Sequence, residues 1–203
     1  MLFYSTLAAL MLLAGLTVAL ALQNRDLLRI GEYREFLVRM IPASTTAVFV
    51  AGLPFVLAQA EVARYGVVLL VYLSGAALLT VVAARAVAPE ERRAGRAFRS
   101  GEYEKAADQY EEMIQTRPLP RYFSALAATR DATGDPHAAL EAAEHAVKRD
   151  PRLGIAYYNR ASALAALGEN SRARSDLQKV FEVDAGRRLK QAAGDALETL
   201  ERR

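Results

Sequence analysis

Only two side chains in this 203-residue chain ordinarily titrate near neutral pH, His137 and His145. They stand eight residues apart, which on a helix is more than two turns and about 12 Å of rise, too far to share a metal ion. The chain has no cysteine, so disulfides, thiolate catalysis, zinc–thiolate sites and iron–sulfur clusters are excluded. No G-x-S-x-G elbow, H-E-x-x-H helix, P-loop or glycine-rich dinucleotide fingerprint occurs in it. The neighbouring carboxylates, Glu111 with Glu112 and Glu102 with Glu104, read as solvated helix faces. The expectation is a protein that is not an enzyme and has neither cofactor nor metal, so that its chemistry is that of binding.

The elements that would carry such binding follow from the charge distribution. Residues 1–88 hold six basic and four acidic side chains, whereas residues 89–203 hold 20 and 19. That contrast predicts an apolar membrane domain, 1–88, followed by a water-exposed domain, 89–203. Although the whole chain carries a net charge of +3, the second part carries an excess of one. A nucleic-acid partner, which calls for a basic stripe, is not expected.

Two uncharged runs and a third whose one charge is Arg85 predict three membrane spans at about 2–22, 43–60 and 67–87. The first, Leu2 to Leu22, reaches about 31 Å as a helix, the thickness of a bilayer core. Ala19-Leu20-Ala21 resembles a signal-peptidase site, but no Lys or Arg precedes the run, which favours an uncleaved anchor. The second, Thr45 to Ala60, is short unless Ile41 to Ser44 join it, and it contains Pro54, which a membrane helix tolerates as a kink. The third follows a polar turn at 61–66 containing Glu61, Arg64 and Gly66. Arginines cluster at 23–42 and again at Arg85, Arg92, Arg93 and Arg96, so both segments are expected on the cytoplasmic side. Within 25–41, Leu27, Ile30, Tyr33, Leu37 and Ile41 share a helical face opposite Arg29, Glu32, Glu35 and Arg39, which predicts a helix lying on the membrane surface. Small residues in the spans, Gly15 and Ala19 or Ala76 and Thr80, would also admit other transmembrane subunits.

The charged part repeats itself. Gly101, Gly134 and Gly168 are 33 and 34 residues apart, and Pro118 and Pro151 are 33 apart. Each glycine is followed five residues later by an alanine, namely Ala106, Ala139 and Ala173, and then by Met113, Ala146 and Val180. Glycine tolerates the positive φ of a helix C-terminus, alanine lets helices approach, and proline ends a helix. A period near 34 with these slots resembles the tetratricopeptide repeat family, a solenoid of helix–turn–helix units. The resemblance implies repeats at about 89–119, 120–153 and 154–185, with Ala185 standing where the other two have proline. A capping helix is expected at 187–201 from the spacing of Leu189, Ala192, Ala193, Leu197 and Leu200. In the first helices, Tyr157, Ala161 and Leu164 fill the packing slots of repeat three, and Phe123, Leu126 and Ala127 those of repeat two, where Arg130 replaces a large apolar residue or tyrosine. The first helix of repeat one starts near Pro89 and is the least regular, which leaves open whether it continues the third span.

By slot, the resemblance places Phe98, Arg99, Arg121, Ser124, Ala128, Asp131, Ile155, Tyr158, Ser162 and Ala165 on the concave face where such repeats bind proteins. The lysine and asparagine pairs with which some members clamp a C-terminal carboxylate do not occur at the matching positions. A shorter motif, Ala21-Leu22-Gln23-Asn24 after the first span, resembles the lipopolysaccharide assembly protein A family over residues 1–60. It implies a bacterial inner-membrane protein that acts as a scaffold for envelope assembly or for regulated proteolysis of an envelope enzyme. The expected whole is all-α: membrane helices in the lipid bilayer, then cytoplasmic repeats that hold a protein partner.

Overall fold

The structure, a computed structural model, describes residues 2–59 and 64–202, without the side chains of residues 2–6, 8 and 9. Every regular element among them is a helix, and one isolated bridge joins Leu153 to Asp184. The chain divides into two compact units, Met1–Pro89 and Glu90–Arg203.

The first unit holds α1 (Leu2–Gln23), α2 (Arg25–Arg29), α3 (Tyr33–Arg39), α4 (Ile41–Gln59) and α5 (Tyr65–Ala86). α4 and α5 are long and apolar enough to cross a membrane, and α1 is apolar through its Leu10–Gln23 stretch. Ile41 to Ser44 do join the second block, so that α4 reaches about 28 Å. α1 and α5 both pack on α4. Polar groups meet across the α4–α5 contact: the Thr46 and Thr80 hydroxyls lie 3.1 Å apart, and the Tyr72 hydroxyl donates to the Phe49 carbonyl at 2.8 Å. Tyr72 explains Gly52, because a Cβ there would stand 2.7 Å from the phenol oxygen. Of the expected 61–66 turn, residues 61–63 lie outside the described residues, and Arg64 caps α5.

The single surface helix expected over 25–41 is instead two short helices. Gly31 adopts φ +80°, and the Glu32 amide donates to the Leu27 carbonyl while the Gly31 amide donates to that of Leu28. This paired closure is a Schellman turn, which a smooth apolar period conceals. Leu27, expected on the lipid side, is fully buried. At the other end of the unit, Val87 is extended and Ala88 has φ +46°, so α5 stops and α6 starts afresh at Pro89 rather than continuing the third span.

The second unit pairs α6 (Pro89–Arg99) with α7 (Tyr103–Thr116), α8 (Pro120–Ala132) with α9 (Pro136–Arg149), and α10 (Gly154–Ala166) with α11 (Asn170–Glu182), followed by α12 (Arg187–Glu201). Gly101, Gly134 and Gly168 all sit at φ near +80°, each closing the same paired turn. Ala106, Ala139 and Ala173, on the second helices, and Ala94, Ala127 and Ala161, on the first, are buried at the helix contacts. Met113, Ala146 and Val180 are buried too, and Ala193 of α12 completes the core formed by Tyr157, Leu164 and Leu177.

Pro118 and Pro151 follow the ends of α7 and α9, but Ala185 leaves α11 without that stop. Backbone pairing replaces it. The Gly154 amide donates to the Asp184 carbonyl and the Asp184 amide to the Arg152 carbonyl, at 3.3 and 3.2 Å. The approach is so close that a Cβ on Gly154 would stand 2.8 Å from the Ala185 methyl and 3.0 Å from the Asp184 oxygen. Gly154→Ala is therefore expected to destabilise α10 and α11 by about 1–3 kcal/mol. Amide hydrogen exchange should show that loss, with partial recovery on adding Ala185→Gly; unchanged protection would refute the close packing.

Candidate functional site

The first helices of the repeat unit lie in a row, with α8 against α10 and α10 against α12. Polar bonds fix this row. Asn159 Nδ2 donates to the Ser124 carbonyl and hydroxyl at 2.7 and 3.0 Å, and the Ser162 hydroxyl donates to Asp131 Oδ2 at 2.8 Å. Arg121 pairs with Glu91 of α6 at 3.9 Å.

These bonds sort the residues assigned to the face by slot. Ser124 is buried and already occupied by Asn159, so it sets helix spacing and is closed to a ligand. Asp131 and Ser162 are half-buried and bonded to each other, and Arg121 and Ala128 are half-buried. Phe98 rests edge-on against Tyr103, ring centres 5.4 Å apart, whereas Arg99 is exposed. Ile155 is exposed, and Tyr158 and Ala165 are half-buried.

One stretch of the face is a recess. Tyr158, Ser162 and Ala165, with Ala161 and Leu177 at its base, meet Ala196, Thr199 and Leu200 of α12 around a groove of about 260 Å³. α12 was legible as a cap, but its part in walling a groove was not, because solenoid capping requires only an apolar inner side. Tyr110, also unforeseen, brings its hydroxyl to within 3.8 Å of where a Gly95 Cβ would stand. Burial pushes its phenol above the ordinary tyrosine range, helped by the Glu91 charge and opposed by Arg99, so it remains a neutral hydrogen-bonding group.

The residues with chemical potential of another kind are used structurally. His145 lies 5.4 Å from the Phe123 ring, which Arg149 covers at 4.2 Å. Arg130, placed where the repeat pattern favours an apolar residue, bridges α8 to Glu104 and Glu111 of α7, and the hydrogen bond to Glu111 raises its affinity for its proton. Among the described residues there is no cluster of three His, Asp or Glu side chains able to hold a metal.

The tetratricopeptide repeat family model matches residues 155–186. This segment is a tetratricopeptide repeat. The unit around it shares the fold of the tetratricopeptide domain of Sgt2 from Aspergillus fumigatus, at 26% identity and a TM-score of 0.51 over 56% of this chain and 76% of that one. It likewise resembles the type III secretion chaperone SycD of Yersinia enterocolitica in complex with a peptide of the translocator YopD, at 23% identity and a TM-score of 0.51 over 56% and 90% of the two chains. A curated rat protein, FK506-binding protein-like, is 34% identical over 116 residues, 52% of this chain and 33% of that protein. The chain thus spans a third of the length of the curated relative it matches.

Proposed function

We propose that this chain is a membrane-anchored adaptor, whose repeats hold a segment of a partner protein at the cytoplasmic face of a bacterial inner membrane. The groove between α10 and α12 carries the reading: it is apolar at the base, rimmed by the Tyr158 and Thr199 hydroxyls, and no segment among the described residues fills it. Its floor and rim suit an apolar side chain on an extended or helical peptide, because aromatic groups at a partly dry recess make effective anchors. The SycD complex with a translocator peptide supports this use of the fold. Attachment to a bilayer is supported by α5, a 22-residue apolar helix with no buried residue, since so large an apolar surface is untenable in water. The arginines of 23–42 and 85–96 favour cytoplasmic repeats, and the motif at Ala21-Leu22-Gln23-Asn24 favours a role in envelope assembly.

A second reading, an assembly subunit that meets its neighbours through its membrane helices, draws on the apolar cleft of about 480 Å³ between α1, α4 and α5, where Leu12, Leu16, Ala76 and Ala77 leave room for another helix. Photocrosslinkers at Tyr158, at Ala77 and at the exposed Gln178 of α11, each in the full chain in native membranes, separate the two. Adducts to protein from Tyr158 alone are the expected result. Adducts from Ala77 alone would favour the subunit, and equal labelling from Tyr158 and Gln178 would overturn the groove. A phosphatase fused after Arg203 should be inactive, because activity would put the repeats outside the cytoplasm.

A further inference from the structure

α3 is amphipathic in the reverse of the usual sense. Two of its three charged residues, Glu35 and Arg39, face inward, 9% and 8% exposed, and pair at 3.2 Å, one turn apart. On its outer side Tyr33 and Leu37 are 63% and 67% exposed, and Ile41, the next residue at this spacing, is 44% exposed. Burying charge is costly and leaving large apolar side chains in water wastes the hydrophobic effect, so a helix facing water takes the opposite arrangement. The reversal is favourable only where the outside is less polar than water.

The same stripe identifies what lies outside. Ile41 opens α4, and Val48 and Phe55 follow it at seven-residue intervals on one helical face, 72% and 71% exposed. The outer side of α3 is thus followed, past the Ser44 and Thr45 hydroxyls bonded back to the Met40 and Ile41 carbonyls, by the apolar exterior of a helix long enough to cross a membrane. Arg34, exposed on the same outer side between Leu37 and Val38, has a stem long enough to lie on apolar surface while its guanidinium reaches a phosphate. Tyrosine, with a ring that is apolar and a hydroxyl that is not, suits this depth.

From the buried Glu35–Arg39 pair and the exposed Tyr33–Leu37–Ile41 stripe, we infer that α3 is sunk into the interfacial layer of the bilayer, apolar side down, as a shallow foot beside α4. The occupant of this surface is phospholipid, where headgroup meets acyl chain. The inference rests on the membrane reading above and adds a second lipid contact to the spans.

The chain contains no tryptophan, so a single one introduced reports on its own surroundings. Leu37→Trp and, as a second variant one turn away, Tyr33→Trp would be reconstituted as full chains in phosphatidylcholine and phosphatidylglycerol vesicles, with lipids brominated either near the headgroup or deep in the acyl chain. Leu78→Trp, on the exterior of α5, serves as the depth reference. The expected result is blue-shifted emission from residues 33 and 37, quenched most by the shallow bromines, with Leu78→Trp quenched most by the deep ones. If Leu78→Trp is quenched but the α3 positions emit to the red and are quenched by aqueous acrylamide, the foot is overturned and the membrane anchor stands. Shielding of the α3 positions from both lipid and acrylamide would show a protein surface there and overturn it as well. Loss of quenching at Leu78→Trp would remove the membrane reading and the foot together.

Discussion

Asp176→Ala is expected to lower the stability of the α10–α11 pair by about 3 kcal/mol, whereas replacing both Asp176 and Arg160 by leucine should restore most of it. Arg160 Nε and Nη2 donate to the two carboxylate oxygens of Asp176, each at 2.7 Å, and both side chains are largely covered. The hydrogen bonds to Asp176 hold the Arg160 proton more firmly than usual, against the opposing effect of burial. Removing the carboxylate therefore strands a cation that has lost its hydration, which is worse than having neither group. The corresponding place in α8, eight residues before the turn glycine, is filled by Leu126, so the fold accepts an apolar side chain there. Amide hydrogen exchange of α10 and α11 in the full chain measures the effect: about a hundredfold faster exchange for Asp176→Ala and a much smaller change for the double leucine variant. A double variant as unstable as the single one would mean that the ion pair itself is what holds these helices.

The repeat architecture was legible because its signals are local and recur. Gly101, Gly134 and Gly168 each close a turn that requires positive φ, and the buried alanines follow each of them by five residues. The same signal stands at Gly31-Glu32-Tyr33, matching Gly101-Glu102-Tyr103 in residue and in turn, yet apolar periodicity alone suggested one continuous helix. A glycine in the left-handed region outweighs a period carried by only five apolar residues. The candidate face was assigned by slot, but slots fix directions from a helix axis and say nothing of pairing between helices, which is how Ser124 came to be spent on Asn159. The closure at Ala185 was hidden for a related reason. Its substitute is a backbone bridge to Asp184, which leaves a trace only in Gly154 at the head of α10.

Leu164→Ala should produce a comparably large loss, about 2–5 kcal/mol, because Leu164 is 1% exposed among Tyr157, Ala173, Leu177 and Val180 and the surrounding helices cannot close on the space it vacates. Its place in the solenoid determines how far the damage spreads. The Leu164 carbonyl, which the substitution leaves in place, accepts the Glu169 amide in the turn, so the vacated space lies close to where the crossing of α10 and α11 is set. α12 depends on the same core through Ala193, Leu189 and Leu197, and should lose protection with them. α6 and α7 touch none of these residues, and stacked repeats couple to their neighbours rather than to the whole array. Hydrogen exchange is thus expected to accelerate steeply in α10, α11 and α12, moderately in α8 and α9, and little in α6 and α7. Leu164→Met, which conserves volume, should cost less than about 1.5 kcal/mol and leave this gradient absent. An equal loss across α6 to α12 would mean that the repeats unfold as one block, in which case a partner seated against α10 and α12 would stabilise every helix of the unit together.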